Sequence, residues 1–352
     1  MTHHRLTMWG ADSIAWTRDG RSIVYSSWDG EAYLWSVRAD GSHAPERLEA
    51  AGLGAIMPTV AASTNQIVFA RSLGDTDIFE FRPGSPAVRV VGSTFIEVGP
   101  AVSPDGRRLA FSSARSGQSA HIWIANRDGS DIRQLTHGPG VFQGSPRWSP
   151  DASRIAFDAK SEAGSWNVWV IDADGGTPQP ITKIRSEQVV PSWSWDGRWI
   201  NFAAGEWDPY SFAIWRVPVS GGPAQRLTPD GTGRFASETA DGTRLVYQAA
   251  EADSALMVRP VTGGSSRQLV RCAKNAAFGV GALGVYYVPC EPGTDPPLRL
   301  LDLASGEDRL LGRLEQFEVG SLGLAVSPDG LSILYPRKVN DSSDLMLIEN
   351  FR

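Results

Sequence analysis

The chain repeats one short pattern eight times, and this repeat constrains its fold more than any other feature. A turn of the type Ser-Pro-Asp-Gly is followed by a short apolar strand that ends in an aromatic residue, as in residues 103–111. The eight aromatic residues lie 40 to 48 residues apart, at Tyr25, Phe69, Phe111, Phe157, Phe202, Tyr247, Tyr287 and Tyr335. A period in the forties made of strands and turns is typical of a β-propeller. Because that architecture carries many unrelated activities, the repeat indicates a fold and leaves the function open.

One repeat, residues 97–136, shows how each unit forms a blade. Residues 100–102 begin an inner strand, and residues 103–106 form a turn with proline and glycine where their backbone angles suit it. Three further strands follow up to Thr136, separated by a loop and a hairpin turn. We therefore predict an all-β fold in which residues 1–352 form a single β-propeller domain of four-stranded antiparallel blades.

The number of blades and the closure of the ring are predicted from the ends of the repeat. Eight units account for all 352 residues, so we expect eight blades; seven is the alternative, because the unit at 274–287 lacks the Asp-Gly turn. The last unit ends after residues 345–348 without a fourth strand, and His4–Thr7 matches the fourth-strand endings of other units. We expect this N-terminal strand to pair with the last blade, which removes an open sheet edge.

The charge and composition of the chain limit its expected partners and its expected cellular location. The net charge of -6 provides no basic footprint, so we expect no direct nucleic-acid binding by this chain. No segment approaches the roughly 18 apolar residues of a membrane span, and the first residues lack the apolar core of a signal peptide. We expect a cytoplasmic monomer in which Cys272 and Cys290 lie close together and are reduced.

The two faces of a propeller differ, and the sequence shows which loops fall on which face. The short turns after the first and third strands lie on one face, the turn face, and their uniformity suits a scaffold. The opposite, loop-rich face carries irregular loops, where function usually lies. Three of its loops hold a tryptophan that blade packing does not require, and acidic residues occur in the same region. We expect a small molecule or a protein partner to bind Trp28, Trp166 and Trp207, together with Glu187, Glu206 and Asp208. The alternative is that each tryptophan caps its own blade.

Polar residues also precede the inner strands, where the loops point toward the central tunnel. Glu97, Gln143 and Gln188 each stand three residues before a proline, and Asn275 occupies the matching region of the seventh unit. A ring of carboxylates and amides would bind a polar ligand or a divalent metal such as calcium, whereas the alternative is a solvated channel mouth. His137 is the one histidine of five placed to meet a ligand there. If the chain is an enzyme, Glu97 or His137 would be the catalytic base.

The repeat resembles a known family. The pattern Ser-Pro-Asp-Gly…Leu-Ala-Phe-Ser-Ser…His-Ile-Trp-Ile…Asp-Gly-Ser…Gln-Leu-Thr resembles the TolB-like WD-type β-propeller repeat, most closely between Pro100 and Thr228. More narrowly, residues 146–158, 190–194 and 345–352 resemble the C-terminal propeller of acidobacterial-type winged-helix transcriptional regulators. The winged helix of that family is missing from this chain, so the resemblance implies the sensor or interaction half. An acidic residue often stands three before the inner-strand proline in that family; Glu97 keeps this character, whereas Gln143 and Gln188 do not.

Two functions follow from these observations. The chain lacks a nucleophile elbow, a phosphate loop, a dinucleotide fingerprint and a His-Glu-x-x-His motif. The first hypothesis is therefore a ligand- or protein-binding propeller that uses the loop-rich face and the tunnel mouth. The alternative is a promiscuous hydrolase of esters, lactones or phosphoesters, in which a metal at the central tunnel activates water. Whether the chain is an enzyme is left open.

Overall fold

The computed structural model describes residues 11–28, 32–61, 63–72, 74–116, 119–138, 140, 142–161, 164–182, 186–205, 212–228, 233–249, 254–320, 322–340, 342–349 and 351. Apart from a 3₁₀ turn at Glu49–Ala51, the regular structure in these ranges consists of β-strands. In the same ranges, no helix is long and apolar enough to cross a membrane. The predicted all-β fold of antiparallel four-stranded sheets is confirmed. The predicted N-terminal strand, His4–Thr7, lies outside the described residues.

The strands, in chain order, are β1 (Ala11–Trp16), β2 (Ser22–Trp28), β3 (Ala32–Arg38), β4 (Glu46–Arg47), β5 (Ala55–Val60), β6 (Ile67–Ser72), β7 (Asp75–Phe81), β8 (Val88–Val91), β9 (Glu97–Val102), β10 (Arg108–Ser113), β11 (His121–Asn126), β12 (Arg133–Gln134), β13 (Phe142–Trp148), β14 (Arg154–Lys160), β15 (Trp166–Asp172), β16 (Gln179–Pro180), β17 (Glu187–Trp193), β18 (Trp199–Gly205), β19 (Ala213–Pro218), β20 (Gln225–Arg226), β21 (Arg234–Glu238), β22 (Arg244–Gln248), β23 (Ser254–Pro260), β24 (Arg267–Gly281), β25 (Gly284–Pro289), β26 (Pro297–Leu301), β27 (Asp308–Arg313), β28 (Ala325–Val326), β29 (Ile333–Asn340) and β30 (Ser343–Ile348).

The chain forms two compact units. We call residues 1–75 with 340–352 the small unit, and residues 76–339 the ring unit. Within the small unit, β1 to β4 form one four-stranded sheet in chain order, and β5, β6 and β30 form a three-stranded sheet. The prediction of a single domain over 1–352 stays a prediction.

The ring unit is a closed ring of six blades. The inner strands follow one another in the order β28, β9, β13, β17, β21 and β24, and β24 contacts β28 again. Three blades are simple sheets in chain order (β9 to β12, β13 to β16 and β17 to β20), and one has the order β28-β29-β7-β8. Two more share the long strand β24, which pairs with β23 through its first half and with β25 through its second. The predicted count of eight blades in one ring is not confirmed.

The closing blade differs from the predicted one. β28 and β29 take β7 and β8 as their outer strands. β30, which we expected beside β29, pairs instead with β6, and Met346 lies opposite Phe69. Phe79 of β7 and Met346 both occupy the place that Trp123 holds in β11, opposite a strand-two aromatic residue. Because these two third strands have the same pattern, the repeat alone does not distinguish their partners.

The core lies between neighbouring blades. The strand-two aromatic residues that define the repeat are buried, with Phe111, Phe157 and Phe202 at 0% exposure. Five inner strands of the ring also carry a bulge that the repeat did not predict. One residue of each bulge has a positive φ: Gly99, Ser145, Val190, Phe235 and Ala276. The register shifts beside these residues bend the inner strands.

The expectation of reduced cysteines is wrong for this structure. Cys272 of β24 and Cys290, which follows β25, form a disulfide with a Cα–Cα distance of 5.6 Å. The bond ties β24 to the residue that follows β25, within the ring unit. Disulfides of this kind are typical of oxidising compartments.

Candidate functional site

Five of the six turns that follow the inner strands of the ring share one hydrogen-bonding pattern. In the turn at Ser103, the serine hydroxyl donates to Oδ1 of Asp105 at 2.6 Å, and the same oxygen accepts from the backbone N–H of Arg107 at 3.1 Å. The turns that begin at Ser149, Ser194, Thr239 and Ser327 repeat this arrangement. These hydrogen bonds favour the ionised carboxylate and lower its pKa. The aspartates are therefore turn residues.

The second residue of each turn borders the mouth of a central cavity. We call these six residues the turn rim: Pro104, Pro150, Trp195, Ala240, Ala282 and Pro328. All six are apolar, and Trp195 is 58% exposed, which is high for so large a side chain. The turn face, which the sequence analysis interpreted as scaffold, thus has an apolar opening at its centre.

Below the turn rim, the cavity has a volume of about 620 Å³. All six inner strands line it, with Pro100, Val190, Phe235, Phe278 and Leu324 among the apolar wall residues. This volume lies in the range of about 300–1,000 Å³ that ligand sites occupy in proteins. A mostly apolar cavity of this size suits an organic ligand or the end of a chain.

Two buried tryptophans hold the wall together. The indole Nε1 of Trp148 donates to the carbonyl oxygen of Ala101 at 3.1 Å, and that of Trp193 donates to the carbonyl oxygen of Arg147 at 3.0 Å. Each bond joins the inner strand of one blade to that of the preceding blade. The guanidinium of Arg108 also stacks on the Trp148 ring, 4.7 Å from its centroid. The two indole bonds thus connect the inner strands of three successive blades.

Arg147 provides the positive charge at the inner end of the cavity. Its Nη1 donates to the carbonyl oxygen of Pro146 at 2.8 Å, and its Nη2 donates to the carbonyl oxygen of Leu322 at 3.3 Å, ahead of β28. Among the described residues, no carboxylate lies within ion-pairing distance of this guanidinium. Burial lowers the pKa of Arg147, and the charge of Asp158 raises it. Arginine keeps its proton in proteins, so the side chain remains a cation.

Two other polar residues line the wall. Ser192 is 7% exposed, and its hydroxyl has no hydrogen-bond partner among the described residues. Glu238 lies next to the turn rim, where one carboxylate oxygen accepts from the N–H of Trp195 at 2.9 Å and the other from Nδ2 of Asn201 at 3.2 Å. Burial raises the pKa of Glu238. The lining therefore holds a bonded carboxylate near the mouth and a cation with spare donors deeper inside.

The structure places Glu97 within a buried polar network that reaches the neighbouring blade. Glu97 is 0% exposed and accepts from the hydroxyls of Ser93 at 2.7 Å and Ser113 at 2.8 Å. Its carboxylate lies 3.0 Å from the guanidinium of Arg115. The same serine, Ser93, donates its N–H to buried Asp77 at 3.2 Å. The Glu97 carboxylate thus already has a cationic partner.

The other residues predicted for the metal ring are also held by nearby groups. Gln143 and Gln188 are both 0% exposed and accept hydrogen bonds from the hydroxyls of Thr136 and Thr182, respectively. Asn275 lies half-buried within β24. None of these residues lines the cavity at the turn face. The metal site predicted from them stays a prediction.

Of the residues predicted to bind a ligand on the loop-rich face, the structure brings two together. The N–H of Trp166 donates to a carboxylate oxygen of Glu187 at 2.8 Å, and the Trp166 ring packs edge-on against Phe142 at 5.5 Å. This packing is consistent with the alternative that Trp166 caps its blade. His137 is exposed in the loop after β12. Glu206, Trp207 and Asp208 lie outside the described residues, as does the side chain of Trp28, the last residue of β2.

Arg147 and Trp195 were not predicted as site residues from the sequence. Both stand out once the repeats are aligned on their turns. Arg147 occupies the position where the other blades of the ring have Ala101, Ser192 and Ser237, and Trp195 replaces the proline of Ser-Pro-Asp-Gly. A charged residue at a position where these other blades have a small residue is the signal by which Arg147 could have been found.

The comparisons with known proteins support the β-propeller fold. The family model described as the TolB β-propeller domain (PD40) matches residues 84–279. A solved structure described as TolB from Agrobacterium tumefaciens superposes with a TM-score of 0.63 at 20% identity, covering 76% of this chain and 99% of the other. TolB from Acinetobacter baumannii gives a TM-score of 0.57 at 17% identity, covering 83% of this chain and 78% of the other. A puromycin-hydrolyzing peptidase of Mycobacterium tuberculosis gives 0.52 at 16% identity, covering 88% and 55%.

These solved structures share the fold alone, because all three are less than 25% identical to this chain. No curated protein matches it. None of the comparisons supports the narrower resemblance to winged-helix transcriptional regulators. At a coarse level, the matches support an interaction or binding module.

Proposed function

Because the chain belongs to the TolB β-propeller domain family, we propose that it is a binding module whose ligand enters the central cavity of the ring unit through the turn face. The observation that carries this proposal is the cavity of about 620 Å³ with its turn rim of six apolar residues. An exposed tryptophan beside a concave apolar opening is the kind of feature that binds partners.

The contacts of the wall favour binding over catalysis. The cavity is lined mainly by apolar residues, and Glu238 has both carboxylate oxygens engaged by N–H groups. Glu97, one of the two candidate bases of the alternative hydrolase, is paired with Arg115, and neither Glu97 nor His137 lines the cavity. The metal-assisted hydrolase therefore has less support than the binding module.

A different observation bears on the cellular location of the protein. The cytoplasmic setting expected from the sequence stays a prediction. The Cys272–Cys290 disulfide favours an oxidising compartment instead.

The binding proposal is tested with a neutral apolar probe, N-phenyl-1-naphthylamine, whose fluorescence rises when it leaves water. We expect saturable binding to the full chain. Ala240→Trp should block the mouth, because the equivalent turn of the neighbouring blade already carries a tryptophan at Trp195. Ala304→Trp, at an exposed turn outside the cavity, is the matched control and should leave binding unchanged.

Two results would overturn the proposal. One is the absence of saturable probe binding by the unmodified chain. The other is binding that survives Ala240→Trp but is lost in Trp166→Ala, which would move the site to the loop-rich face.

A further inference from the structure

The donors of Arg147 are only partly used. A guanidinium has five N–H groups, and the two hydrogen bonds of Arg147 both go to neutral backbone carbonyls. The other buried or half-buried arginines near this wall have aromatic partners, as Arg108 has in Trp148 and Arg154 in Trp193. The buried carboxylate Asp158 acts on the Arg147 charge only from beyond ion-pairing distance. A cation that lines a mostly apolar cavity without a direct ionic partner is costly to desolvate. An anionic ligand would offset that cost.

The position of Ser192 adds a second donor to the same place. The Trp193–Arg147 bond places the end of β17 directly beside Arg147 on β13. Ser192 precedes Trp193, lines the same cavity and has a buried hydroxyl without a hydrogen-bond partner in the described part of the chain. Arg147, with donors to spare, and Ser192, with its unpartnered hydroxyl, thus lie on neighbouring inner strands and line the same cavity.

The rest of the lining limits what kind of anion fits. The cavity walls are mostly apolar, and Arg147 is the one cationic residue among the described residues that line it. A single guanidinium matches a singly charged, planar carboxylate, to which arginine donates two parallel hydrogen bonds. A doubly charged phosphate would leave one charge unpaired in an apolar site. Glu238 lies near the mouth of the cavity, and Arg147 lies at its inner end. An acid that enters through the turn face therefore passes Glu238 before the acid reaches Arg147.

We propose that the cavity recognises an apolar ligand that ends in a carboxylate, with the carboxylate bound by Arg147 and Ser192 at the inner end and the apolar body filling the space up to the turn rim. This inference rests on the proposed function and specifies its ligand class. The same chemistry occurs in free organic acids and at the C-terminus of a peptide, and the test includes both.

The experiment measures displacement of N-phenyl-1-naphthylamine from the full chain by matched pairs of competitors. One pair is 4-phenylbutanoate and 4-phenylbutanamide; the other is N-acetyl-Ala-Ala-Phe with a free or an amidated C-terminus. We expect the acid of at least one pair to compete about tenfold or more better than its amide, as for a hydrogen-bonded charge. The pair with the larger ratio identifies the source of the carboxylate.

Variants assign the preference to the residues. Arg147→Gln should keep probe binding and reduce the acid-to-amide ratio to about one. Arg147→Lys should keep a reduced preference, and Ser192→Ala should lower the ratio severalfold. Arg198→Gln, which removes an exposed arginine outside the cavity, is the matched control and should retain the full ratio. If Arg147→Gln does not fold, Arg147→Lys and Ser192→Ala still decide the question.

The outcomes separate this inference from the proposed function. If the probe binds but acids and amides compete equally, the carboxylate inference is wrong and the binding module stands. Phenyl phosphate competing as well as 4-phenylbutanoate would also contradict the carboxylate class. If the probe does not bind at all, the proposed function itself fails.

Discussion

The indole Nε1 of Trp193 donates a hydrogen bond to the carbonyl oxygen of Arg147, at 3.0 Å, and joins the inner strands of two blades beside the cavity. The bond fixes the backbone from which the Arg147 side chain extends. It therefore links the packing of the ring to the proposed ligand site.

The first prediction concerns this bond. Trp193→Phe should lower the free energy of unfolding by about 1–3 kcal/mol, because it leaves a buried carbonyl unpaired and removes volume from the core. Trp148→Phe should behave alike, since Trp148 makes the equivalent bond to Ala101. Trp195→Phe, at a largely exposed position, should change stability by less than about 0.5 kcal/mol. Urea unfolding measures all three; an equal loss in Trp195→Phe would contradict the account.

The second prediction concerns the turn aspartates and pH. Hydrogen bonds hold the pKa of Asp151 and of Asp241 at about 2, below the ordinary value of 3.8. Because the folded-state pKa is the lower one, these carboxylates stabilise the fold above about pH 4, and this stabilisation is lost as the pH falls toward 2. Thermal unfolding between pH 5 and pH 2, in roughly half-unit steps, should show the decline. The double variant Asp151→Asn/Asp241→Asn should show a shallower decline, and an unchanged slope would argue against this origin.

The third prediction concerns the disulfide. The Cys272–Cys290 bond spans 18 residues, and a loop of that length stabilises a fold by about 3 kcal/mol through the unfolded state. A phosphine reductant should therefore lower the denaturation midpoint of the unmodified chain. It should have no effect on the Cys272→Ser/Cys290→Ser variant. Titration of two free thiols in the denatured, unreduced protein would show that the bond is absent.

The fourth prediction concerns strand pairing in the small unit. Val68 of β6 lies opposite Leu347 of β30. Val68→Cys/Leu347→Cys should therefore form a cross-strand disulfide under mild oxidation, and peptide mass mapping detects it. Val68→Cys/Leu345→Cys, one pair out of register, is the matched control. Failure of the first pair to bond, with a chain that remains folded, would support the pairing of β30 with β29 that the sequence analysis expected.

The repeat predicted much of the fold because its information is local. The Ser-Pro-Asp-Gly turns and the buried strand-two aromatics depend on residues close together in the chain, and both occur where expected. The partner of β30 could not be predicted in this way. β7 and β30 carry the same third-strand pattern, so the choice between them depends on contacts distant in sequence.

The candidate site was harder to predict for a related reason. Glu97, Gln143 and Gln188 have the residue types of a polar site, but only the structure shows that they are buried and hydrogen-bonded to neighbouring groups. The bulges at residues such as Val190 and Phe235 shift the inner strands by one residue, which the repeat does not encode. Arg147 was detectable only by comparing the repeats position by position.

The most direct test of the binding site is a crystal structure of the full chain with 4-phenylbutanoate. The account predicts electron density for the ligand inside the ring cavity, with its carboxylate on Arg147 and Ser192 and its phenyl ring toward Trp195. Density confined to the loop-rich face, with an empty cavity, would contradict it.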